Sequence, residues 1–246
     1  MTWSILARDP QTGAFGVAIT TKAFAVGVLC PHIVPGRGVL ATQATTNPLY
    51  GPDGSHLLAQ GVPAAEVVRR LTIADPGASR RQLHVLDAAG RIAQHTGDET
   101  VPWAGAVSAP WVSVAGNMLA GPQVVAATLE CYLASSHLPF AERLITALDA
   151  GEAAGGDKRG RQSAALRVQE DQPYPVVDLR VDDHDWPLVE LRRLYRVALT
   201  SHIPLYRHRA RTDAPAGTLD RAVMDRVVAA ALSTQSEPLP ESATQV

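Results

Sequence analysis

The chain opens with Met1-Thr2-Trp3-Ser4-Ile5-Leu6-Ala7-Arg8-Asp9-Pro10-Gln11-Thr12-Gly13-Ala14-Phe15-Gly16-Val17-Ala18-Ile19-Thr20-Thr21-Lys22. Residues 2–8 favour a strand, residues 9–13 have turn chemistry that ends in glycine, and residues 15–20 favour a second strand. The pattern predicts an antiparallel hairpin. If Arg8 faces Ala14, then Thr2 faces Thr20, and strand alternation puts Thr20 and Lys22 on the face of Thr2.

Thr2 is a candidate nucleophile because it directly follows the initiator methionine. Threonine is small enough for Met1 normally to be removed, which would leave an α-amine with a pKa of roughly 7.7–8.0 beside the hydroxyl. Such an amine can take the hydroxyl proton and activate it for attack on a carbonyl. Many proteins begin Met-Thr for no catalytic reason, so the dipeptide alone leaves both interpretations open.

Lys22 and Asn117 are the other candidate catalytic residues. On the predicted register, the Lys22 ammonium would lie near Thr2 and stabilise negative charge on its hydroxyl. The alternative is a solvated lysine at the end of a strand. The strand that ends in Gly116-Asn117 could offer a backbone N–H and a side-chain amide to an oxyanion. The alternative for Asn117 is a turn or helix-capping residue.

The rest of the chain predicts groups of strands that alternate with helix pairs. We expect strands within residues 24–34 and 39–45, extending the first sheet, and at 82–87, 91–96, 111–116, 164–168 and 176–181. We expect helices at 55–60, 64–74, 123–133, 140–150, 187–206 and 218–232. These elements predict an α+β domain over residues 1–206. We expect residues 207–246 to form a C-terminal extension with a short helix and a mobile tail.

Composition limits the classes of function. The chain has 246 residues, of which 46% are hydrophobic, and a net charge of −2, so we expect no nucleic-acid partner. We find no signal peptide and no apolar stretch of membrane-spanning length, and therefore expect a cytoplasmic protein without a membrane partner. We also expect a homodimer or higher homo-oligomer.

Cysteine and histidine spacing indicates no metal centre. Cys30 and Cys131 lie far apart and outside any Cys-x-x-Cys motif, so we expect two small buried side chains and neither zinc nor a disulfide. His84 and His95 have no third ligand at a metal spacing, and we expect them to be surface residues on neighbouring strands. The sequence therefore predicts no cofactor.

Residues 151–163 form a glycine-rich, basic loop that leads into a strand. Glycines that let backbone N–H groups approach a ligand, with arginines nearby, suit a carboxylate or phosphate. The loop lacks the spacing of a P-loop, which argues against a nucleotide. The alternative is a tight loop whose arginines bridge to acidic neighbours. We assign substrate binding to Thr20, Asp157, Arg159, Arg161, Gln162 and Asp178.

A second cluster contains Asp178, Asp182, Asp183 and His184. Strand alternation puts Asp178, Arg180 and Asp182 on one face. We interpret these residues as an ion-pair network that ties the arginine-rich loop in place, in preference to a divalent-metal site.

Eight stretches that span most of the chain up to about Leu194 carry a family resemblance. They are residues 2–13, 16–18, 21–27, 41–43, 47–52, 116–119, 155–164 and 177–184. They resemble an uncharacterised bacterial family, a domain of unknown function that is grouped with the N-terminal nucleophile (Ntn) hydrolases. The resemblance implies a four-layer αββα sandwich in which two packed, mostly antiparallel sheets are covered by helices.

Three classes of function follow from these observations. The first is a hydrolase that cleaves a small amide, lactam or related acyl bond of a small-molecule substrate through an acyl-enzyme on Thr2. The second is a metal-assisted hydrolase that uses Asp178, Asp182, Asp183 and His184. The third is a non-catalytic ligand-binding or assembly protein on the same fold.

Overall fold

The computed structural model describes residues 2–234, which form an α+β fold with two antiparallel sheets and seven α-helices. Most predicted elements are present within a few residues of their expected bounds. Residues 235–246, which belong to the predicted tail, lie outside the described residues. None of the helices in the described part is long and apolar enough to cross a bilayer.

The first sheet has six strands. They are β1 (Thr2–Arg8), β2 (Phe15–Thr21), β7 (Gly105–Ala109), β8 (Val112–Asn117), β9 (Ser163–Gln169) and β10 (Val177–Val181). Their order is β10-β9-β2-β1-β8-β7, and each neighbouring pair is antiparallel. Strand β1 is central, and its residues are buried on both faces up to Ala7. The first strand of the sequence therefore organises this sheet.

The second sheet has four strands. They are β3 (Pro31–Val34), β4 (Gly38–Ala44), β5 (Arg81–Asp87) and β6 (Ile92–Thr96), in that order, and all pairs are antiparallel. The prediction that residues 24–34 and 39–45 extend the first sheet is wrong. Residues 26–29 form the short helix α1 (Val26–Leu29), which turns the chain away, so that β3 starts a separate sheet.

Strands of the two sheets contact each other, and helices contact strands of both sheets. Helices α2 (Tyr50–Ala59) and α3 (Ala64–Ala74) lie against the second sheet, whereas α4 (Gln123–Ala134) and α5 (Phe140–Ala153) lie against the first. Between the sheets, Leu6 and Val17 pack with Val39 and Leu86. Burying these apolar side chains on folding is favourable, at roughly 25 cal/mol per Å² of area removed from water.

The chain divides into two compact units, one ending at Arg193 and the other beginning at Leu194. The first contains both sheets and helices α1 to α5, and the start of helix α6 (Pro187–Ser201). In the second, a short 3-10 helix (Tyr206–His208) precedes α7 (Arg221–Thr234). The domain boundary that the sequence predicts after residue 206 stays a prediction.

Candidate functional site

Thr2 lies in a row of three residues at one end of the first sheet. It pairs with Thr21 of β2 on one side and with Asn117 of β8 on the other. Its side-chain hydroxyl is 3.0 Å from the Thr21 hydroxyl, and the residue is 7% exposed. Two hydroxyls and an amide therefore meet at the first residue of the central strand.

The predicted hairpin register is wrong by one residue. Arg8 pairs with Phe15, and Thr2 therefore pairs with Thr21 and not with Thr20. The cause is the turn: the backbone N–H of Asp9 bonds to the carbonyl of Ala14 at 2.8 Å, which makes the connection one residue longer than predicted. A slip of one residue moves side chains to the opposite face of a strand.

Thr20 and Lys22 illustrate the consequence of this shift. The Thr20 hydroxyl donates to the carbonyl of Ser163 at 3.0 Å, away from the hydroxyl of Thr2. Lys22 is exposed, and its ammonium donates to the carbonyl of Arg161 at 3.0 Å. The register argument that put both residues on the face of Thr2 is therefore wrong. A part for Thr20 in substrate binding and for Lys22 in catalysis stays a prediction.

Asn117 contacts Thr2 directly. Its side-chain Nδ2 donates to the carbonyl oxygen of Thr2 at 3.3 Å and to Oε1 of Gln82 at 3.0 Å. Both amide hydrogens are thus used, and the residue is 1% exposed. Donation to an oxyanion, the role predicted from the sequence, would require Nδ2 to exchange one of these acceptors for the substrate.

A cavity of about 210 Å³ adjoins Asn117. Charged and polar residues line it, together with apolar ones. The lining residues are Ala44, Thr45, Arg80, Glu99, Thr100, Val101, Asn117, Met118 and Arg159. Arg80 pairs with Glu99 at 2.8 Å. Arg159 is the predicted substrate-binding residue that lines this cavity.

The glycine-rich loop is fastened to the same end of the sheet. Asp157 is 6% exposed, and its carboxylate accepts hydrogen bonds from the backbone N–H groups of Lys22, at 2.8 Å, and Arg159, at 2.9 Å. It also pairs with the Arg159 guanidinium at 3.2 Å. The backbone N–H of Gln162 donates to the carbonyl of Thr21. Asp157 therefore supports the loop, and its carboxylate oxygens are occupied by these donors.

Arg161 and Gln162 point to other partners. The Arg161 guanidinium contacts the carboxylate of Glu152 and stacks over the ring of Trp186 at 4.3 Å. The Gln162 amide donates to Asp183 at 3.1 Å. Neither side chain lines the cavity beside Asn117. The interpretation of a tight loop whose arginines bridge to acidic neighbours describes these contacts.

Asp178 does not belong to this loop. It pairs with Arg167 of the neighbouring strand at 3.6 Å, while Arg180 pairs with Asp182 at 3.0 Å. The predicted ion pairs are present, but Asp178 and Asp182 pair with Arg167 and Arg180 and not with arginines of the loop. The cluster contacts the loop through Asp183, which accepts from the Gln162 amide. Among residues 2–234, no group of three or more His, Cys, Asp or Glu could hold a metal ion. The predicted metal-assisted site at Asp178, Asp182, Asp183 and His184 thus has no geometric basis.

The sequence did not predict a buried hydrogen-bond network between the sheets. It is formed by polar side chains on the facing strands, namely Ser4, Gln43, Gln82, His84, Gln94, Ser113 and Asn117. Inward-facing polar residues recur at every second position, as in Gln82 and His84, and this period was the available signal. The network reaches Thr2 through Asn117.

His84 is fully buried, so the expectation that it is a surface residue is wrong. Burial lowers its pKa to about 3. Ser4 donates to Gln43 at 2.7 Å and must therefore accept from His84 Nε2–H, at 2.8 Å. Nδ1 of the neutral ring then accepts from Ser113 at 2.9 Å. His95 is half-buried, with Nε2 2.8 Å from the carbonyl of Ala78.

The two cysteines are free. Burial raises the pKa of the Cys30 thiol to about 11, so it is protonated at neutral pH. Cys131 is half-buried, which differs from the full burial that the sequence predicts. Neither observation adds a nucleophile to the Thr2 site.

The fold and the site define an α+β protein with two antiparallel sheets and a polar row at the start of its central strand. The chain belongs to a family of unknown function, DUF1028, whose model matches residues 2–191. It is similar to protein SPO2555 from Silicibacter pomeroyi, a structure from the same family. That similarity has 34% identity, a TM-score of 0.83, and coverage of 89% of this chain and 96% of that one.

Two more distant structures are also similar to part of the chain. They are the Anbu (Gly-1) mutant from Hyphomicrobium sp. strain MC1, at 15% identity and a TM-score of 0.40, and Anbu (ancestral beta-subunit) from Yersinia bercovieri, at 13% and 0.39. Each match covers 81% of this chain and 95% of the other. No curated protein matches the chain.

Proposed function

We propose that this protein is an Ntn-type amidohydrolase that cleaves a small amide, lactam or related acyl bond through an acyl-enzyme on Thr2. The observation that carries the proposal is the position of Thr2, which starts the central strand between Thr21 and Asn117. Asn117 in turn lines a cavity large enough for a small acyl group. The helix pairs that contact each of the two sheets support the αββα sandwich that such enzymes use.

The reaction needs a mature chain that begins at Thr2. The α-amine takes the proton from the Thr2 hydroxyl, whose oxygen bonds to the substrate carbonyl carbon. The resulting tetrahedral intermediate expels the amine leaving group, which receives the proton from the α-ammonium. Water then attacks the ester, its proton passes through the α-amine to the Thr2 oxygen, and a carboxylic acid is released.

The neighbouring residues receive distinct parts in this proposal. Asn117 holds the Thr2 carbonyl and so orients the nucleophile. Arg159 brings positive charge to the cavity, which favours a substrate with a carboxylate or another anionic group near the scissile bond. Asp157 fixes the loop that carries Arg159.

A non-catalytic ligand-binding protein on the same fold is the second candidate. It is favoured by the positions of the two lysines of the sequence. Lys22 donates to the carbonyl of Arg161, and Lys158 donates to the carbonyl of Pro102. Neither bond directs an ammonium to the Thr2 hydroxyl, which a lysine-assisted nucleophile would use. The α-amine is then the base on which the hydrolase proposal depends.

The two candidates are separated by testing Thr2 chemically. The purified protein is incubated with a β-lactone, whose ring carbonyl is attacked by an activated hydroxyl to give an ester while the ring C–O bond breaks. Intact mass should show a chain that begins at Thr2 and carries one added acyl group, and peptide mapping should place this group on Thr2. Retained Met1 in a reactive preparation would refute the mechanism.

Matched variants control for non-specific labelling. Thr2→Ala should lose the added mass. Thr72→Ala, which removes a hydroxyl in helix α3 that donates to the carbonyl of Val68, should keep it. Labelling that persists in Thr2→Ala, or no acylation of the wild-type Thr2, would favour the ligand-binding candidate.

A further inference from the structure

We infer that Gln82 is a positioning residue of the Thr2 site, because it sets the orientation of the Asn117 amide that holds the Thr2 carbonyl. Gln82 is fully buried on β5 of the second sheet, although Thr2 belongs to the first. Burying an amide is costly unless its polar atoms are hydrogen-bonded. An apolar side chain of the same shape would fill this position without needing hydrogen-bond partners. The presence of an amide here therefore points to a specific role for its polar atoms.

The orientation of the Gln82 amide is fixed by its surroundings. Its Nε2 donates to acceptors on three strands: the carbonyl of Gly116 at 2.8 Å, the hydroxyl of Thr96 at 2.9 Å and the carbonyl of Gly105 at 3.2 Å. With the nitrogen so constrained, Oε1 must point to the other side. Gln82 therefore presents an acceptor at a defined place between the sheets.

Oε1 of Gln82 accepts from two side-chain amides. Gln43 Nε2 donates at 2.7 Å and Asn117 Nδ2 at 3.0 Å. The second hydrogen of Asn117 Nδ2 is directed to the carbonyl of Thr2. Because the acceptor is on the Gln82 side, the Asn117 amide places its nitrogen, and not its oxygen, against Thr2. Without Oε1, only the 3.3 Å bond to the Thr2 carbonyl would oppose the turning over of the Asn117 amide.

The consequence for Thr2 follows from geometry. The Thr2 carbonyl belongs to the same residue as the attacking hydroxyl, so an Asn117 oxygen turned towards it would repel it and displace the residue. Displacement of a reacting group by about 1 Å can slow a reaction on the order of a hundredfold. Gln82 acts on Thr2 through Asn117, and it is not among the residues that line the cavity.

The test compares Gln82→Met with Gln94→Met. Methionine keeps the length of the side chain and removes the amide. Gln94 is the control because its half-buried Nε2 donates within the same network, to Ser113 at 2.9 Å and Val107 at 3.0 Å. It has no bond to Asn117. Neutron crystal structures of both variants, which distinguish the amide nitrogen from the oxygen, show whether Asn117 Nδ2 still faces Thr2, and labelling by the β-lactone measures the reactivity of Thr2.

We expect the Asn117 amide to turn away from Thr2 in Gln82→Met alone, with acylation of Thr2 on the order of a hundredfold slower than in Gln94→Met. Gln82→Glu should recover much of the wild-type rate at neutral pH, where the α-amine can still act as base, because a buried carboxyl keeps its proton and its carbonyl oxygen still offers an acceptor to Asn117. A purely structural role would slow both methionine variants in proportion to their loss of stability.

The rate of acylation rests on the proposed function, whereas the position of Asn117 does not. If the wild-type Thr2 is not acylated, the proposed function fails, and the crystal structures alone decide the inference. An Asn117 amide that keeps its place in Gln82→Met overturns the inference. So does an unchanged rate in a variant whose amide has turned.

Discussion

The buried imidazole of His84 should make folding stability depend on pH. Its pKa falls from 6.5 to about 3 because burial disfavours the charged ring. In the unfolded chain the ring takes up a proton below pH 6.5, while in the folded protein it stays neutral. Stability from this group is therefore complete above pH 6.5 and is lost as the pH falls from there towards about 3.

The size of the effect follows from the difference between the two pKa values. Each unit of difference corresponds to about 1.4 kcal/mol, so the full loss would approach about 5 kcal/mol. Between about pH 7 and pH 5, the expected loss from His84 is about 2 kcal/mol. Carboxylates with shifted pKa values add their own contributions at lower pH, so the comparison must isolate the histidine.

Urea unfolding of the wild type and of His84→Met at several pH values provides that comparison. Between about pH 7 and pH 5, the free energy of unfolding should decrease by about 2 kcal/mol less in the variant than in the wild type. Ser113→Ala removes a hydrogen-bond partner and keeps the ring, and should retain the pH dependence. Identical pH dependence in wild type and His84→Met would refute the argument. So would an NMR titration that shows the His84 ring protonating near pH 6.5 in the folded protein.

Two further changes test the packing of the fold. Gly16→Ala should lower the free energy of unfolding by about 1–3 kcal/mol, because the new methyl would lie 2.5 Å from Leu144 and 2.8 Å from the ring of Phe140 in helix α5. Gly36→Ala is the control for backbone strain, because φ is +65° there and the new methyl meets no atom within 4 Å. If both variants lose the same free energy of unfolding, the explanation by packing against helix α5 is wrong. Asp87→Asn should lose about 1–3 kcal/mol at neutral pH, because the carboxylate caps helix α3 through the N–H of Ala64 at 2.9 Å. Burial raises the pKa of Asp87, but its hydrogen bonds lower it by more, so the pKa lies below its usual value. The stability advantage of the wild type over Asp87→Asn should therefore shrink as acid protonates the carboxylate. An advantage that persists in acid would contradict this.

The local elements of the fold could be predicted from the sequence because their signals are local. Strand β1 at Thr2–Arg8 and helix α3 at Ala64–Ala74 have the predicted bounds, since residue type and hydrophobic period determine them. Strand β7 was missed because Gly105–Ala109 is short and contains a single strongly strand-forming residue, Val107. The assignment of β3 and β4 to the first sheet failed because a strand's own pattern does not identify its partner.

The candidate site was less accessible to sequence reasoning. The proximity of Asn117 to Thr2 was expected, and the two residues pair. The predicted position of Lys22 depended on the register of the hairpin, and one extra residue in the turn moves its side chain to the opposite face. Residue preferences do not determine the length of such a turn. Gln82 and His84 have no motif, because their importance arises from partners on strands that are distant in sequence.

The buried network between the sheets has an evolutionary consequence. Apolar residues in a core can often be exchanged one at a time, because apolar contacts are not directional and substitutions that conserve volume cost little. Each amide or hydroxyl in this network is the hydrogen-bond partner of another. Replacing one of them leaves a buried polar atom without a partner, because no water reaches it. We expect these positions to change together or not at all among relatives, which would make covariation between β5 and β8 a signature of this sheet pairing.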